Sequence, residues 1–264
     1  MLLPEGFAPQ LVAIDLDDTL IEHDGPVAGF VADAIARVQG LGIVVVAATG
    51  RSVTTALPVA RAAGMHDWAV CSNGSLLARV VPEEVVETIT FDPGDLLRHI
   101  EKRVPNGSYA VECEDGTFKT NRIFKHTALT VAVREVPFDR LLDDPVIRVV
   151  VRSDEHLDEG LGFLAEELGL HSVVFGTGDI AWLDIGPQGV SKATMLARLC
   201  GRLGIDESQT MAIGDSMNDI EMLKWAGVGV LMGHSGDEMR PYADVVTDPR
   251  PGYGVAAALD AISP

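Results

Sequence analysis

The chain has 264 residues, 47% of them hydrophobic, and 39 acidic side chains against 20 basic ones give a formal net charge of -19. That surplus argues against nucleic acid and anionic membrane as partners, because both need a basic surface to release counterions. No stretch approaches the about 20 apolar residues that cross a bilayer, and Met1-Leu2-Leu3-Pro4-Glu5 has no basic region leading an apolar one, so a cytoplasmic location is expected.

In chain order, short apolar runs alternate with amphipathic segments. Strands are expected over Leu11 to Ile14, Ile43 to Ala48 and Trp68 to Cys71, with helices over Val27 to Gly40 and Ser52 to Ala63. Runs without polar alternation, separated by helices, predict a parallel sheet covered on both faces. Gly40 and Gly64 are placed to cap the two helices.

From about Pro82 to Pro187 the texture changes. Hairpin-like pieces at Ser108 to Glu114 and Thr117 to Phe124 precede strands at Val146 to Val151, Ser172 to Phe175 and Ala181 to Ile185, with a helix over Leu157 to Leu168. An inserted α+β region with a largely antiparallel sheet is expected. The α/β pattern then returns, with helices over Ser191 to Leu203 and Ser216 to Trp225 and strands over Met211 to Ile213, Val228 to Leu231 and Val245-Val246. The expected architecture is α/β: a Rossmann-like core from 1-82 and 188-264, interrupted by an α/β region over 83-187.

Cys71, Cys113 and Cys200 are far apart and form no C-x-x-C pair, which fits reduced thiols better than a disulfide or zinc framework. The seven histidines show no metal-binding spacing. Gly176-Thr177-Gly178 lacks the Lys-Ser/Thr ending of a phosphate loop and reads as a hairpin turn.

The first strand ends in Asp15-Leu16-Asp17-Asp18-Thr19. Carboxylates there repel one another and cost desolvation, which a shared proton or divalent cation relieves. Residues two apart on a strand face the same way, so Asp15 and Asp17 are expected to converge. The site of an open parallel sheet lies at the carboxyl ends of its strands, where Thr49-Gly50-Arg51, Ser72-Asn73-Gly74 and Gly214-Asp215-Ser216-Met217-Asn218-Asp219 also fall.

With Lys192 opening a helix, Asp15 to Thr19, Thr49-Gly50-Arg51 and Gly214 to Asp219 resemble the four motifs of the haloacid dehalogenase-like phosphohydrolase superfamily, and Ser72-Asn73-Gly74 is similar to a phrase of its Cof-type branch. The large insertion between the second and third motifs is similar to the α/β cap of its Cof-type, subclass IIB branch. The resemblance implies a nucleophile at Asp15, which forms an aspartyl-phosphate, and a general acid and base at Asp17. It implies a Mg²⁺ ion held by Asp15, the backbone carbonyl of Asp17 and Asp215, with Asp219 ordering the metal's waters. Thr49 and Gly50 then bind the phosphoryl group, Lys192 pairs with phosphate and Asp15, Asn73 and Asn218 are further candidates for substrate or phosphate contact, and Arg51 either contacts substrate or forms a salt bridge at the helix start.

Asp18 is expected to point away from the nucleophile, and Thr19 reads as a turn or cap hydroxyl. Where the family often has G-N-A, this chain has Gly233-His234-Ser235, so no role of that Asn carries over. The basic stretch Phe118 to His126 reads as a solvated hairpin, the alternative being that Lys119, Arg122 or Lys125 recognises substrate.

The implied activity is Mg²⁺-dependent dephosphorylation of small phosphorylated metabolites, sugar phosphates foremost, by a monomer or small homo-oligomer. A sugar phosphomutase and a non-catalytic metabolite-binding protein are the alternatives, distinguished by dependence on a sugar bisphosphate and by binding without turnover.

Overall fold

The computed structural model describes residues 3–23, 25–123, 133–153, 161, 164, 172–177 and 180–263. The chain divides into two compact units, Met1–Glu87 with Ser191–Pro264, and Thr88–Val190. Among the described residues no helix is long and apolar enough to cross a membrane.

The first unit is built on an eight-stranded sheet. Its strands are β1 (Leu11–Ile14), β2 (Val44–Ala48), β3 (Trp68–Cys71), β4 (Leu76–Arg79), β5 (Glu84–Thr88), β12 (Thr210–Gly214), β13 (Val228–Leu231) and β14 (Val245–Val246), ordered β14-β13-β12-β1-β2-β3-β4-β5. The six strands from β14 to β3 are parallel, and β4 runs antiparallel to β3. Every residue of β1 is buried, as when both faces of a sheet are covered. In this order β1 lies between β2 and β12, so the chain's first and last parallel segments meet at the middle of the sheet.

The helices of this unit are α1 (Gly29–Gly40), α2 (Val53–Ala62), α4 (Lys192–Leu203), α5 (Ile220–Trp225) and α6 (Tyr253–Asp260). A short 3₁₀ turn, Met217–Asp219, precedes α5 where one continuous helix from Ser216 is expected. Helix α2 ends as foreseen: Gly64 takes a left-handed φ of 78°, with its N–H on the Arg61 carbonyl and the Met65 N–H on that of Ala60. At α1 the left-handed residue is Gly42 rather than Gly40, because the helix continues through Gly40 and caps on Leu41.

The second unit holds a six-stranded sheet ordered β10-β11-β9-β6-β7-β8, from β6 (Ser108–Glu112), β7 (Phe118–Thr120), β8 (Val133–Glu135), β9 (Arg148–Ser153), β10 (Ser172–Thr177) and β11 (Ile180–Ile185). All pairings are antiparallel except β7 with β8. Thr177 pairs with Ile180, as expected of a hairpin turn at that point. The expected helix over Leu157 to Leu168 lies outside the described residues apart from Leu161 and Leu164, but helix α3 (Gly94–Arg103), not anticipated from sequence, is present.

Alternation along β6, β9 and β11 sends Tyr109, Val111, Val149, Val151, Leu183 and Ile185 into one apolar core with Leu97 and Ile100 of α3. Glu112, Arg148 and Asp184 stand at the alternate positions and are also buried. The Arg148 guanidinium bridges them, Nε at 3.0 Å from Glu112 and Nη1 at 2.7 Å from Asp184, so no member of the triad is a lone buried charge.

Candidate active site

The carboxyl ends of the parallel strands of the first unit gather the candidate residues. Asp15 follows the last residue of β1, and its N–H donates to the Ile213 carbonyl at 3.0 Å. It is 4% exposed. Burial is the main force pushing its carboxyl well above the ordinary range; Lys192 works against that push, while Asp219 and Asp215 add to it.

Lys192, fully buried, is the first residue of α4. Ser191 caps the helix in a reciprocal box with Thr194, which fixes where Lys192 leaves the backbone. Its Nζ donates to Asp15 Oδ1 at 2.6 Å and to Asp219 Oδ1 at 2.7 Å. Burial disfavours the ammonium, but the two carboxylates outweigh it and hold the Lys192 pKa above its ordinary value.

Gly74 makes this approach possible. At φ 101°, a Cβ added there would lie 2.0 Å from the Ser191 carbonyl oxygen and 2.9 Å from the Lys192 nitrogen, so only glycine lets the turn after β3 meet the start of α4. Gly214 plays a similar part at the end of β12, where a Cβ would stand 2.6 Å from the Asp219 carboxyl carbon.

Asp219 is fully buried and uses both oxygens: Oδ1 accepts from Lys192, while Oδ2 accepts the N–H groups of Asp215 at 3.0 Å and Ser216 at 3.1 Å. Asp215 receives the Thr19 hydroxyl at 3.0 Å on Oδ1. Burial first, and Asp219 second, raise its pKa to about 6. One carboxylate oxygen from each of Asp15, Asp215 and Asp219 lies within 4.8 Å of the others, which is a cluster able to hold a cation. Three hard oxygen donors, two of them strained by burial and mutual repulsion, fit a divalent ion well.

The carboxylate of Asp17 is not in that cluster. β1 ends at Ile14, and the Leu16 carbonyl accepts the N–H groups of both Leu20 and Ile21, so the chain turns from Leu16 to Ile21 with Asp17 inside that turn. Asp17 instead receives Arg51, Nε on Oδ2 at 2.8 Å and Nη2 on Oδ1. Arg51 was a candidate for substrate contact, and here it holds the general-acid candidate. Asp18 turns to the His23 N–H at 3.1 Å, with a left-handed φ of 56°, away from the cluster as expected.

Thr49 and Gly50 follow β2. The Thr49 hydroxyl accepts the Arg51 N–H at 3.1 Å, and its carbonyl accepts the Asn73 N–H at 3.1 Å. Asn218 reaches Asn73, its Nδ2 donating to Asn73 Oδ1 at 3.0 Å.

Two contacts were not legible beforehand. Thr19, expected to serve as a cap, orients Asp215. His234, to which the sequence assigned no role, places Nε2 3.5 Å from Asp215 Oδ2 while Nδ1 meets the Pro249 carbonyl at 2.7 Å. Both depend on strand ends distant in sequence, and no local pattern marks them. The basic stretch in the second unit is less available than its charge suggests: Lys119 pairs with Asp144 at 2.8 Å and Arg122 donates to the Asn106 carbonyl at 3.3 Å. Lys125 and His126 lie outside the described residues.

Comparison with known proteins places this geometry in a family. Residues 12–259 match the model of the haloacid dehalogenase-like hydrolases. The 5-amino-6-(5-phospho-D-ribitylamino)uracil phosphatase of Bacillus subtilis is 27% identical over 95% of this chain and 94% of its own length. A phosphoglycolate phosphatase of Archaeoglobus fulgidus is 28% identical, covering 96% of each chain. Among solved structures, a phosphatase of this superfamily from Bacteroides thetaiotaomicron superposes with a TM-score of 0.79 at 24% identity, over 99% of this chain and 98% of that one. A second, described as a subclass IIB sugar phosphatase, gives 0.78 at 20% identity over 95% and 98%. With the family model spanning nearly all of the sequence and relatives matched over almost their whole length, the chain belongs to the haloacid dehalogenase-like hydrolases and is an enzyme of their phosphatase type.

Proposed function

We propose that this chain is a Mg²⁺-dependent phosphatase of small phosphorylated metabolites, sugar phosphates foremost, that works through an aspartyl-phosphate on Asp15. The observation that carries the reading is the buried Lys192 ammonium shared by Asp15 and Asp219, with Asp215 alongside. It is an arrangement that orients one carboxylate as a nucleophile and supplies positive charge to an incoming phosphoryl group within an acidic protein. The two curated relatives named above bear the names of phosphatases of small molecules, which supports the substrate class.

In this scheme an Asp15 oxygen forms a bond to phosphorus as the bond to the leaving oxygen breaks, and Asp17 gives its proton to that oxygen. Water then attacks phosphorus, Asp17 takes its proton, and phosphate leaves with Asp15 regenerated. Arg51 occupies both Asp17 oxygens, so the pair must open for this step. Thr49 and the backbone N–H of Gly50 bind the phosphoryl oxygens. Asp15, the Asp17 carbonyl and Asp215, with Asp219 behind them, would hold Mg²⁺, whose charge would offset the repulsion between nucleophile and phosphate. The region 83–187 serves as the cap that selects substrates.

The test is phosphate release from a panel of sugar phosphates, nucleotides and an aryl phosphate, with Mg²⁺ or with EDTA. Mg²⁺-dependent release is expected, highest for small phosphorylated metabolites. Turnover that requires a sugar bisphosphate would move the assignment to a phosphomutase, and release undiminished by EDTA would remove the metal from it.

Asp215 adds a pH dependence. Its folded-state pKa, about 6, lies above the unfolded value, so folding favours its protonated form: the stability it contributes is present below about pH 4 and is lost as pH rises through 6. Metal binding requires the opposite state. Calorimetry should therefore find Mg²⁺ binding that releases protons and weakens as pH falls through about 6, whereas affinity constant from pH 7 to pH 5 would contradict the ligand assignment.

A further inference from the structure

Beyond β13 the chain folds back tightly. The Ser235 N–H donates to the Met232 carbonyl at 3.2 Å, and a Cβ added at Gly233 would lie 2.5 Å from the Thr247 carbonyl oxygen and 3.0 Å from the Pro249 nitrogen, so only glycine lets this turn pack on residues 247–249. That packing sets His234 between two fixed groups. Its Nδ1 meets the Pro249 carbonyl at 2.7 Å, and its Nε2 stands 3.5 Å from Asp215 Oδ2. The other oxygen of Asp215 is already held, because Oδ1 accepts the Thr19 hydroxyl.

A carbonyl can only accept, so the proton of the ring sits on Nδ1, and Nε2 of the neutral imidazole is a bare acceptor. It faces a carboxylate oxygen, an acceptor too, at a separation beyond an ordinary hydrogen bond. Two acceptors this close are stabilised by a cation or a donor beside them both. His234 is not one of the three residues whose oxygens cluster within 4.8 Å, so it is set to meet the water shell of an ion there rather than the ion itself. With 33% of its side chain exposed, against 13% for Asp215, it has room for that water. Mg²⁺ sheds its waters reluctantly, and acceptors around a bound ion fix where those waters point.

We propose that His234 is a positioning residue of the metal site, its Nε2 accepting a hydrogen bond from water carried by the ion bound at Asp215, while the Pro249 carbonyl fixes the ring. The inference rests on the Mg²⁺ assignment of the phosphatase reading and deepens it. It makes a side chain outside the four motifs part of the ion's surroundings. The opposite arrangement, an imidazolium paired with Asp215, would compete with the ion for that carboxylate. The two differ in sign: removing the ring weakens Mg²⁺ binding in the first and strengthens it in the second.

Mg²⁺ is titrated calorimetrically, at one fixed pH, into the wild type and three variants. In His234→Asn the shorter amide can still donate to the Pro249 carbonyl but leaves nothing at the place of Nε2. In His234→Gln an amide oxygen reaches that place and the Pro249 bond is lost, and His234→Ala lacks both. The Kd for Mg²⁺ should rise by about 10-fold in the Ala and Asn variants, the scale of a lost partner around a metal's ligands, and stay within about threefold of wild type in the Gln variant. Thermal unfolding without metal should follow the other contact, with Asn near the wild-type midpoint and Gln and Ala below it.

A purely structural His234 makes Mg²⁺ affinity follow stability, with Asn like wild type and Gln as poor as Ala, and that order overturns the proposal. So does affinity that is unchanged or tighter in His234→Ala. Asp215→Asn separates the role of His234 from the metal assignment beneath it: if that variant loses Mg²⁺ binding while His234→Asn keeps it, only the role of His234 is wrong. If the wild type binds no Mg²⁺, the metal assignment fails and takes the role of His234 with it.

Discussion

Asp15→Asn is expected to reduce Mg²⁺-dependent phosphate release to background, a loss on the order of 10³-fold or more, as when a covalent nucleophile is removed from a preorganised site. The amide keeps the shape and can still accept from Lys192, but it cannot form the acyl phosphate. The same substitution should not unfold the protein. Burial holds the Asp15 carboxyl well above its ordinary pKa, so folding favours its protonated form, and the stability from this group is lost as pH rises. At neutral pH its ionised form is therefore a burden that the neutral amide relieves. Thermal unfolding of metal-free Asp15→Asn at pH 7 should occur at or above the wild-type midpoint. Release that survives the substitution would remove Asp15 from the nucleophile role, and a large drop in midpoint would show that the loss of activity is a loss of fold.

Much of this framework can be read from the chain itself, for a physical reason. Strands β1, β3 and β13 fall at the bounds expected, because a parallel strand covered on both faces must be a continuous apolar run with polar residues at its ends. Those ends are also where the chemistry sits, so locating the strand locates the site.

The elements that escaped detection lack that contrast. Helix α3 starts after Pro93 and carries His99, Glu101, Lys102 and Arg103 around a few buried residues, and α6 is only eight residues long, with Gly254, Val255, Ala258 and Leu259 as its buried side. Strands β4, β5 and β8 are short or partly exposed.

Within the site, residue types and the pairing of Lys192 with Asp15 were legible, and the other pairings were not. Nothing local to Asp17 says that its carboxylate meets Arg51, 34 positions away. The same holds for Thr19, whose partner Asp215 is 196 residues distant. Spacing gives a list of strand-end groups; only the crossovers of the sheet decide which of them touch.

Lys192→Met tests the centre of the site from the other side. The methionine fills a similar volume but leaves Asp15 and Asp219 buried without their shared cation. Breaking a buried pair by removing one partner costs about 3–5 kcal/mol, because the remaining charge has no solvent and no counterion. Here the loss is borne by two carboxylates, so the unfolding midpoint should fall and phosphate release should drop to background together. Saturating Mg²⁺ should recover part of the stability, since an ion bound only by the folded state stabilises it by mass action. Combining Lys192→Met with Asp15→Asn removes one of the orphaned charges and should unfold at a higher temperature than Lys192→Met alone while remaining inactive. If Lys192→Met is as stable as wild type, or if the second substitution brings no recovery, the ammonium is not what balances these carboxylates. The positive charge for the phosphoryl group must then come from elsewhere.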